Sequence, residues 1–206
     1  MKGYPNDLYI LAFDHRGTLT KGLLGVEGRQ PSEEEVARVS SMKDIIFDGF
    51  LEASSKGIEG GDPAILVDET FGLQVQNRAK DMGIKLAAPV EKSGQKIFDF
   101  EYGDNFGEKI KEVNADFVKI LVRWNPDDDS ETRQTQGERI KTLSDWLDEN
   151  ERKFLLEFLV PASEEQLASV DGDQSRYDSE IRPKLAVQVV EEMRERGADP
   201  DIWKIE

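Results

Sequence analysis

Three charged residues interrupt apolar runs of the chain at positions where a strand would bury them. Lys119 lies in ADFVKILV, Glu157 in KFLLEFLV and Lys204 in DIWKIE. A lysine amine attacks a carbonyl carbon to form an imine when burial or a neighbouring cation lowers its pKa, and a nearby carboxyl group can move the protons. Two lysines and one glutamate on neighbouring strands therefore indicate imine-based carbonyl chemistry, with Lys119 lowering the pKa of Lys204.

The same residues also have interpretations without catalysis. A lysine near a strand end often lays its alkyl chain along apolar surface and keeps its ammonium in water, and this applies to Lys119 and Lys204 alike. Glu157 is harder to explain in this way, because an unpaired buried carboxylate costs free energy. Glu157 could still be a structural ion-pair partner of Lys119.

A second group of reactive side chains follows the first apolar run, as Asp14, His15 and Arg16. The segment FDHRGTL resembles a phosphatase signature in which a second aspartate is the general acid. Arg16 holds that position, and a guanidinium does not release a proton near neutral pH. Alternation places Arg16 on the side of Asp14, so Arg16 is either a charge partner for that carboxylate or a phosphate contact. His15 is expected to support the site by hydrogen bonding, and Gly17 to permit a sharp exit from the strand.

The elements that must position these residues can be predicted from the hydrophobic pattern. Six apolar runs are too continuous for strands with one solvated face. We predict buried parallel strands at 8–14, 64–69, 85–92, 115–122, 153–160 and 201–206. The segment between the first two strands predicts a helix, with Ser32 as N-cap and Glu35 completing a capping box. Strict alternation of strands and helices predicts crossover helices on a parallel sheet.

Two folds share this pattern, an open doubly wound sheet and a (β/α)8 barrel. No glycine-rich dinucleotide fingerprint follows a predicted strand, which disfavours the first. Barrel enzymes build their sites at the carboxyl ends of the strands, and polar residues end almost every predicted strand here: Asp14, Asp68, Glu91, Lys92, Glu157, Lys204 and Glu206. We therefore predict one α/β domain over 1–206 that contains the first six strands of a (β/α)8 TIM barrel. A complete barrel would need two more strands than we predict here, and open sheet edges favour association.

The carboxylates among these residues leave other interpretations open. Asp14, Asp68, Glu91 and Glu206 could supply oxygen ligands for Mg²⁺ or Mn²⁺ in a metal-dependent lyase or isomerase. Asp68 could instead only cap a helix that starts near Gly72.

Composition excludes several classes of protein. The chain has 206 residues and a formal net charge of −16. Nucleic acids and anionic membranes are bound by clustered Lys and Arg, so we expect neither as a partner. The chain has no cysteine and one histidine, which excludes disulfides, Cys–zinc sites and thiol nucleophiles. With no long apolar span, we expect a soluble cytoplasmic protein.

Six motifs carry a resemblance to a known family across the chain. They are FDHRGTL, VDETFG, APVEKSG, ADFVKILVRWNP, FLLEFLV and DIWKIE. Their order is similar to that of the strand-end motifs of class I aldolases such as tagatose-1,6-bisphosphate aldolase. The DHRG motif resembles the aldolase-like domain fused to 5-dehydro-2-deoxygluconokinase in inositol catabolism, whereas the tagatose branch prefers Gln at the position of His15.

The resemblance implies roles for particular residues. It implies that Lys204 forms the Schiff base and that Glu157 is the acid/base. Lys119 and Asp14 match substrate-contacting positions, Asp14 as an acceptor for a substrate hydroxyl, and Lys92 matches a position at the rim. The family's last two strands supply much of its phosphate site.

The resemblance also implies a reaction without a metal or other cofactor. A phosphorylated keto-sugar or keto-acid, such as 2-deoxy-5-keto-gluconate 6-phosphate, would be cleaved to dihydroxyacetone phosphate and an aldehyde. A fused or partner sugar kinase and self-association are further expectations. A non-catalytic barrel domain that regulates such a kinase is the remaining alternative.

Overall fold

The computed structural model describes residues 2–58 and 60–206, along which strands and helices alternate. The strands are β1 (Asp7–Ala12), β2 (Gly61–Leu66), β3 (Lys85–Pro89), β4 (Phe117–Arg123), β5 (Lys153–Leu159) and β6 (Ile202–Ile205). The helices are α1 (Gly17–Leu24), α2 (Glu33–Gly57), α3 (Glu69–Asp81), α4 (Phe106–Val113), α5 (Ser130–Glu149), α6 (Glu164–Ala168), α7 (Gln174–Arg176) and α8 (Arg182–Glu195). Among these residues no helix is long and apolar enough to cross a membrane.

The six strands form one sheet in chain order, and every neighbouring pair is parallel. This confirms the predicted α/β class, the parallel sheet and its six strands. The bounds differ most for β2, which starts at Gly61 instead of residue 64, because Asp7–Ala12 of β1 pairs along the whole of Gly61–Leu66. A strand partner therefore extends β2 into residues whose own sequence does not favour a strand.

The sheet is curled into a half-barrel. Lys119 of β4 places its Nζ 2.8 Å from Oδ2 of Asp14, which follows β1 by two residues. In a flat sheet β1 and β4 would lie three strand spacings, or about 14 Å, apart. Apolar side chains of the inner face pack together in the curl: Leu8, Ile10, Leu66, Ala87, Phe117, Leu155 and Ile202.

The two faces of each strand have different partners, as alternation predicts. On β4, Val118, Ile120 and Val122 point outward into the core shared with α5 and α8, whereas Phe117 packs inside the curl. A second outer cluster packs β2 and β3 against α2 and α3. The helices thus cover the outer face, and the polar side chains of the inner face are left to form a site.

Local capping fixes where several helices begin. The Ser32 hydroxyl accepts from the Glu35 N–H at 3.3 Å, and the Glu35 carboxylate accepts from the Ser32 N–H at 2.7 Å, which confirms the capping box. Asp68 caps α3 as predicted, but this helix starts at Glu69 rather than near Gly72.

The structure overturns the expectation for Gly17. Gly17 is the first residue of α1, and its φ angle is not in the left-handed region. The chain leaves β1 through Asp14 to Arg16 and enters a short helix, which the alternating pattern of longer elements did not reveal.

Candidate active site

Lys119 lies at the centre of a cluster of charged side chains inside the curl. Its Nζ is 2.8 Å from Asp14, 3.1 Å from Glu91 and 3.0 Å from Glu157. Only 2% of its side chain is exposed. The three carboxylates come from the ends of β1 and β3 and from β5, so that curling of the sheet, rather than any one segment, assembles this group.

Glu157 joins the two lysines. Its Oε2 contacts Lys119, and its Oε1 lies 2.7 Å from Nζ of Lys204. This follows from strand register, because Glu157 is opposite Lys204 between β5 and β6. Lys204 is the more open of the two lysines, with 40% of its side chain exposed. The structure thus brings together the lysine–glutamate–lysine group for which the sequence predicts carbonyl chemistry.

The charges within the cluster shift its pKa values. Burial alone would lower the pKa of Lys119, but the carboxylates of Glu91, Asp14 and Glu157 outweigh it and raise the pKa above its ordinary value. Burial alone would raise the pKa of Asp14, but the ammonium groups of Lys119 and Lys204 outweigh it and lower the pKa. These contacts hold Lys119 as a cation.

Arg16 has a different partner from the one that alternation suggests. Its guanidinium contacts Glu91 at 3.1 Å and Glu101 at 3.5 Å. Among the described ion pairs, none joins Arg16 to Asp14. Arg16 is therefore a charge partner of Glu91 and Glu101 and not of Asp14, because its guanidinium faces the loop after β3.

Glu91 is the site residue to which the sequence assigned no substrate role. One of its oxygens is shared by Arg16 and Lys119, and the other is buried without a partner in the described part of the chain. Burial raises the pKa of Glu91, and the two cations offset this only in part. The signal was present, since Glu91 directly follows an apolar run, but its partners come from distant segments.

A cavity of about 580 Å³ opens over the cluster, a volume in the range of small-ligand sites. Its charged lining includes Asp14, Arg16, Glu91, Lys92, Lys119 and Lys204. Lys92 lies at the rim, where its ammonium pairs with Asp99 at 2.8 Å. His15 also lines the cavity and is exposed.

The four carboxylates of the metal-dependent alternative do not meet at one place, and each is engaged by a cation. Asp14 and Glu91 are both engaged by Lys119, Asp68 is paired with Lys43, and Glu206 lies 3.4 Å from Arg182. Within residues 2–58 and 60–206, no group of three or more acidic or histidine side chains could hold a metal ion. The geometry therefore does not favour the metal-dependent alternative.

Sequence comparison relates this chain to known proteins. Residues 2–206 match a family described as uncharacterized proteins conserved in bacteria, DUF2090. The chain belongs to the DUF2090 family. This family member is also distantly similar to two curated proteins named tagatose 1,6-diphosphate aldolase. The Lactococcus lactis protein is 23% identical over 201 residues, covering 95% of this chain and 56% of the relative. The Streptococcus pneumoniae protein is 24% identical over the same length, with the same coverage.

The DUF2090 chain thus spans about half the length of the curated relatives it matches. Among solved structures, a crystal structure of a Corynebacterium glutamicum protein is 18% identical with a TM-score of 0.43, covering 73% of this chain and 47% of that chain. The predicted resemblance to tagatose-1,6-bisphosphate aldolases is confirmed as a distant one. Fusion to a sugar kinase stays a prediction.

Proposed function

We propose that this protein is a class I aldolase in which Lys204 forms the Schiff base. The observation that carries the proposal is the 2.7 Å contact between Lys204 and Glu157 inside a cavity, next to a second lysine that three carboxylates hold as a cation. The distant relatives named as aldolases support the same reaction class. The sheet would then be the first six strands of a (β/α)8 barrel.

The chemistry follows from the placement of the groups. Glu157 takes a proton from the Lys204 ammonium, and the neutral amine adds to the ketone carbon. The resulting carbinolamine loses water as Glu157 returns that proton to the leaving oxygen. The protonated imine then accepts the electron pair of the breaking carbon–carbon bond. Glu157, now ionised, takes the proton from the hydroxyl that becomes the aldehyde. Protonation of the enamine carbon and addition of water release the ketone product and the free lysine.

The remaining charged residues would bind the substrate. In the complex, the Lys119 ammonium would bind a substrate oxygen, and the Asp14 carboxylate would accept a hydrogen bond from a substrate hydroxyl. Arg16 and Lys92 also line the cavity, where cations suit a phosphate group. The proposed substrate is therefore a phosphorylated keto-sugar or keto-acid that yields dihydroxyacetone phosphate, and 2-deoxy-5-keto-gluconate 6-phosphate is one candidate.

Reductive trapping tests this proposal. The full-length gene product is incubated with dihydroxyacetone phosphate and sodium borohydride, and the modified peptide is identified by mass spectrometry. We expect one adduct, on Lys204, because the reduced imine is stable. The Lys204→Met variant should not be labelled. The Lys85→Met control, at the opposite end of the sheet where Lys85 pairs with Asp116, should be labelled like the parent.

Two outcomes would count against the proposal. A label on another lysine would overturn the assignment of Lys204, and no label in folded full-length protein would overturn the Schiff-base mechanism. Cleavage activity should persist in excess EDTA. Loss of activity in EDTA that Mn²⁺ restores would favour the metal-dependent alternative instead.

A further inference from the structure

A lysine is buried in the apolar face of α2, beneath the loop that carries Asp14. Lys43 shares this buried stripe with Val39, Phe47 and Phe50, and its side chain is 0% exposed. Lysine is almost never fully buried without a partner. The sequence shows the anomaly as a lysine in a helical apolar stripe, but it does not show which groups the ammonium meets.

The ammonium of Lys43 has three acceptors, one for each of its protons. They are the backbone carbonyls of Phe13 at 2.8 Å and His15 at 3.1 Å, and the carboxylate of Asp68. The two carbonyls lie on either side of Asp14. One side chain from α2 therefore fixes the backbone both before and after the residue that contacts Lys119.

Asp68 holds this lysine in turn. Its second oxygen accepts from the Phe71 N–H at 2.9 Å, which fixes Asp68 at the start of α3. Burial lowers the pKa of Lys43, and the Asp68 carboxylate offsets this in part. A continuous set of contacts thus runs from α3 through Asp68 and Lys43 to the loop after β1.

A purely structural explanation does not account for a charged pair at this place. Buried ion pairs are often no more stable than apolar residues of similar size, and the surrounding helix face is apolar. An apolar side chain, however, could donate no hydrogen bond to the two carbonyls. The Lys43–Asp68 pair therefore differs from an apolar pair in that it holds the backbone of the loop after β1 through hydrogen bonds.

We propose that Lys43, held by Asp68, is a positioning residue that fixes the backbone around Asp14 so that its carboxylate meets Lys119 and the cavity. Only the kinetic part of this inference rests on the proposed function. Neither Lys43 nor Asp68 contacts the substrate in this role. The effect is transmitted through the backbone of Phe13 and His15.

The test uses a double variant, because Lys43→Met alone would leave the Asp68 carboxylate buried and unpaired. Lys43→Met combined with Asp68→Asn removes both charges, and an asparagine at that position can still cap α3. Arg78→Met is the matched control. Arg78 joins α3 to α2 by ion pairs with Asp44 at 3.0 Å and Asp48 at 2.6 Å, so this variant also cuts ion pairs between the same helices but does not touch the loop.

The chain's single histidine, His15, reports on the loop directly. In protein purified without a histidine tag, its imidazole gives one set of NMR resonances. We expect these resonances to move in the double variant and to stay in place in Arg78→Met. We also expect both variants to keep a thermal midpoint near that of the parent. Unmoved His15 resonances in the folded double variant would overturn the inference, whatever the activity.

Kinetics provide the second measurement. We expect the double variant to lower kcat/KM for aldol cleavage at least tenfold, mainly through a higher KM, since Asp14 would no longer be oriented toward the substrate. A moved His15 signal with unchanged kinetics would overturn the link between loop and site. If the parent protein cleaves no keto-sugar phosphate while the His15 signal moves in the double variant, the proposed function fails, but the role of Lys43 in positioning the loop backbone stands.

Discussion

Lys119 is an ammonium group that three carboxylates surround and that solvent barely reaches. Such a group is stable only while its partners are ionised, because an unpaired buried charge is costly. Arg16 and Lys204 extend the cluster at Glu91 and Glu157. The charges therefore depend on one another, and changing one of them affects both stability and chemistry.

Loss of the central cation should be strongly destabilising. Lys119→Met leaves Asp14, Glu91 and Glu157 without their shared partner, and we expect the free energy of unfolding to fall by about 3–5 kcal/mol. Urea denaturation followed by circular dichroism measures the change. Adding Glu91→Gln to this variant should recover part of the loss, because one buried negative charge is removed. A single variant as stable as the parent would contradict this account of the cluster.

The raised pKa of Lys119 predicts a dependence of stability on alkaline pH. Its folded-state pKa lies above the ordinary value of 10.5, so its contribution is fully present below that pH and is lost as the pH rises toward the folded-state pKa. Unfolding free energies of the parent should therefore fall above pH 10.5. The Lys119→Met/Glu91→Gln variant should show a shallower decline, and equal slopes for the two proteins would argue against it.

Glu157 should affect chemistry more than binding. Glu157→Gln keeps the size of the side chain but cannot move a proton, so we expect kcat to fall by about 10²–10⁴-fold with a small change in KM. Steady-state kinetics with a keto-sugar phosphate measure both constants. A variant that retains kcat would remove Glu157 from the acid/base role.

At the scale of elements, local sequence fixes where helices start and tertiary contacts fix where strands end. The capping box of α2 is made by residues three positions apart. The first half of β2 exists because β1 pairs with it. Removing a local signal, such as a capping side chain, should therefore lower the free energy of unfolding by a predictable amount.

The cap of α2 provides such a test. Ser32→Ala removes the hydroxyl that accepts from Glu35, and we expect a loss of about 1 kcal/mol in the free energy of unfolding.

The Arg29 guanidinium and the Ser32 N–H lower the pKa of Glu35 from 4.5 to about 2. Its stabilising contribution is thus present above pH 4.5 and is lost as the pH falls toward 2. Glu35→Gln should flatten the acid limb of the stability profile, and an unchanged limb would contradict this.

At the scale of the whole molecule, the sheet is a curled surface with helices outside and charges inside. In the described chain β1 and β6 are each paired on one side only. Apolar side chains are exposed at both edges, with Tyr9 at 48% and Leu11 at 39% on β1 and Ile205 at 58% on β6. Open edges and exposed apolar groups together favour association.

The polypeptide of residues 1–206 should accordingly self-associate as its concentration rises. Sedimentation velocity should show species larger than the monomer, and Leu11→Lys should shift the distribution toward monomer, because an edge lysine opposes strand pairing. Leu73→Lys, on the exposed face of α3, is the control and should leave the distribution unchanged. A parent that stays monomeric at all concentrations would show that these edges do not pair.

The sequence by itself determined the order and type of the six strands and the long helices, the inward face of β4 to β6 and the capping box of α2. These depend on periodicity and on residues a few positions apart. The sequence also predicts Lys119, Glu157 and Lys204 as one group, because alternation places them on the inner face of neighbouring strands. It did not reveal α1, the helix that follows β1 directly.

Only the tertiary structure decided which charges meet. Arg16 pairs with Glu91 across 75 residues of chain, and Lys43 pairs with Asp68 across 25. Such pairs depend on the curl of the sheet and on the position of α2 beneath the loop after β1, and neither leaves a trace in local sequence. A buried charge must find a partner, but which partner it finds is set by where the fold places the two side chains.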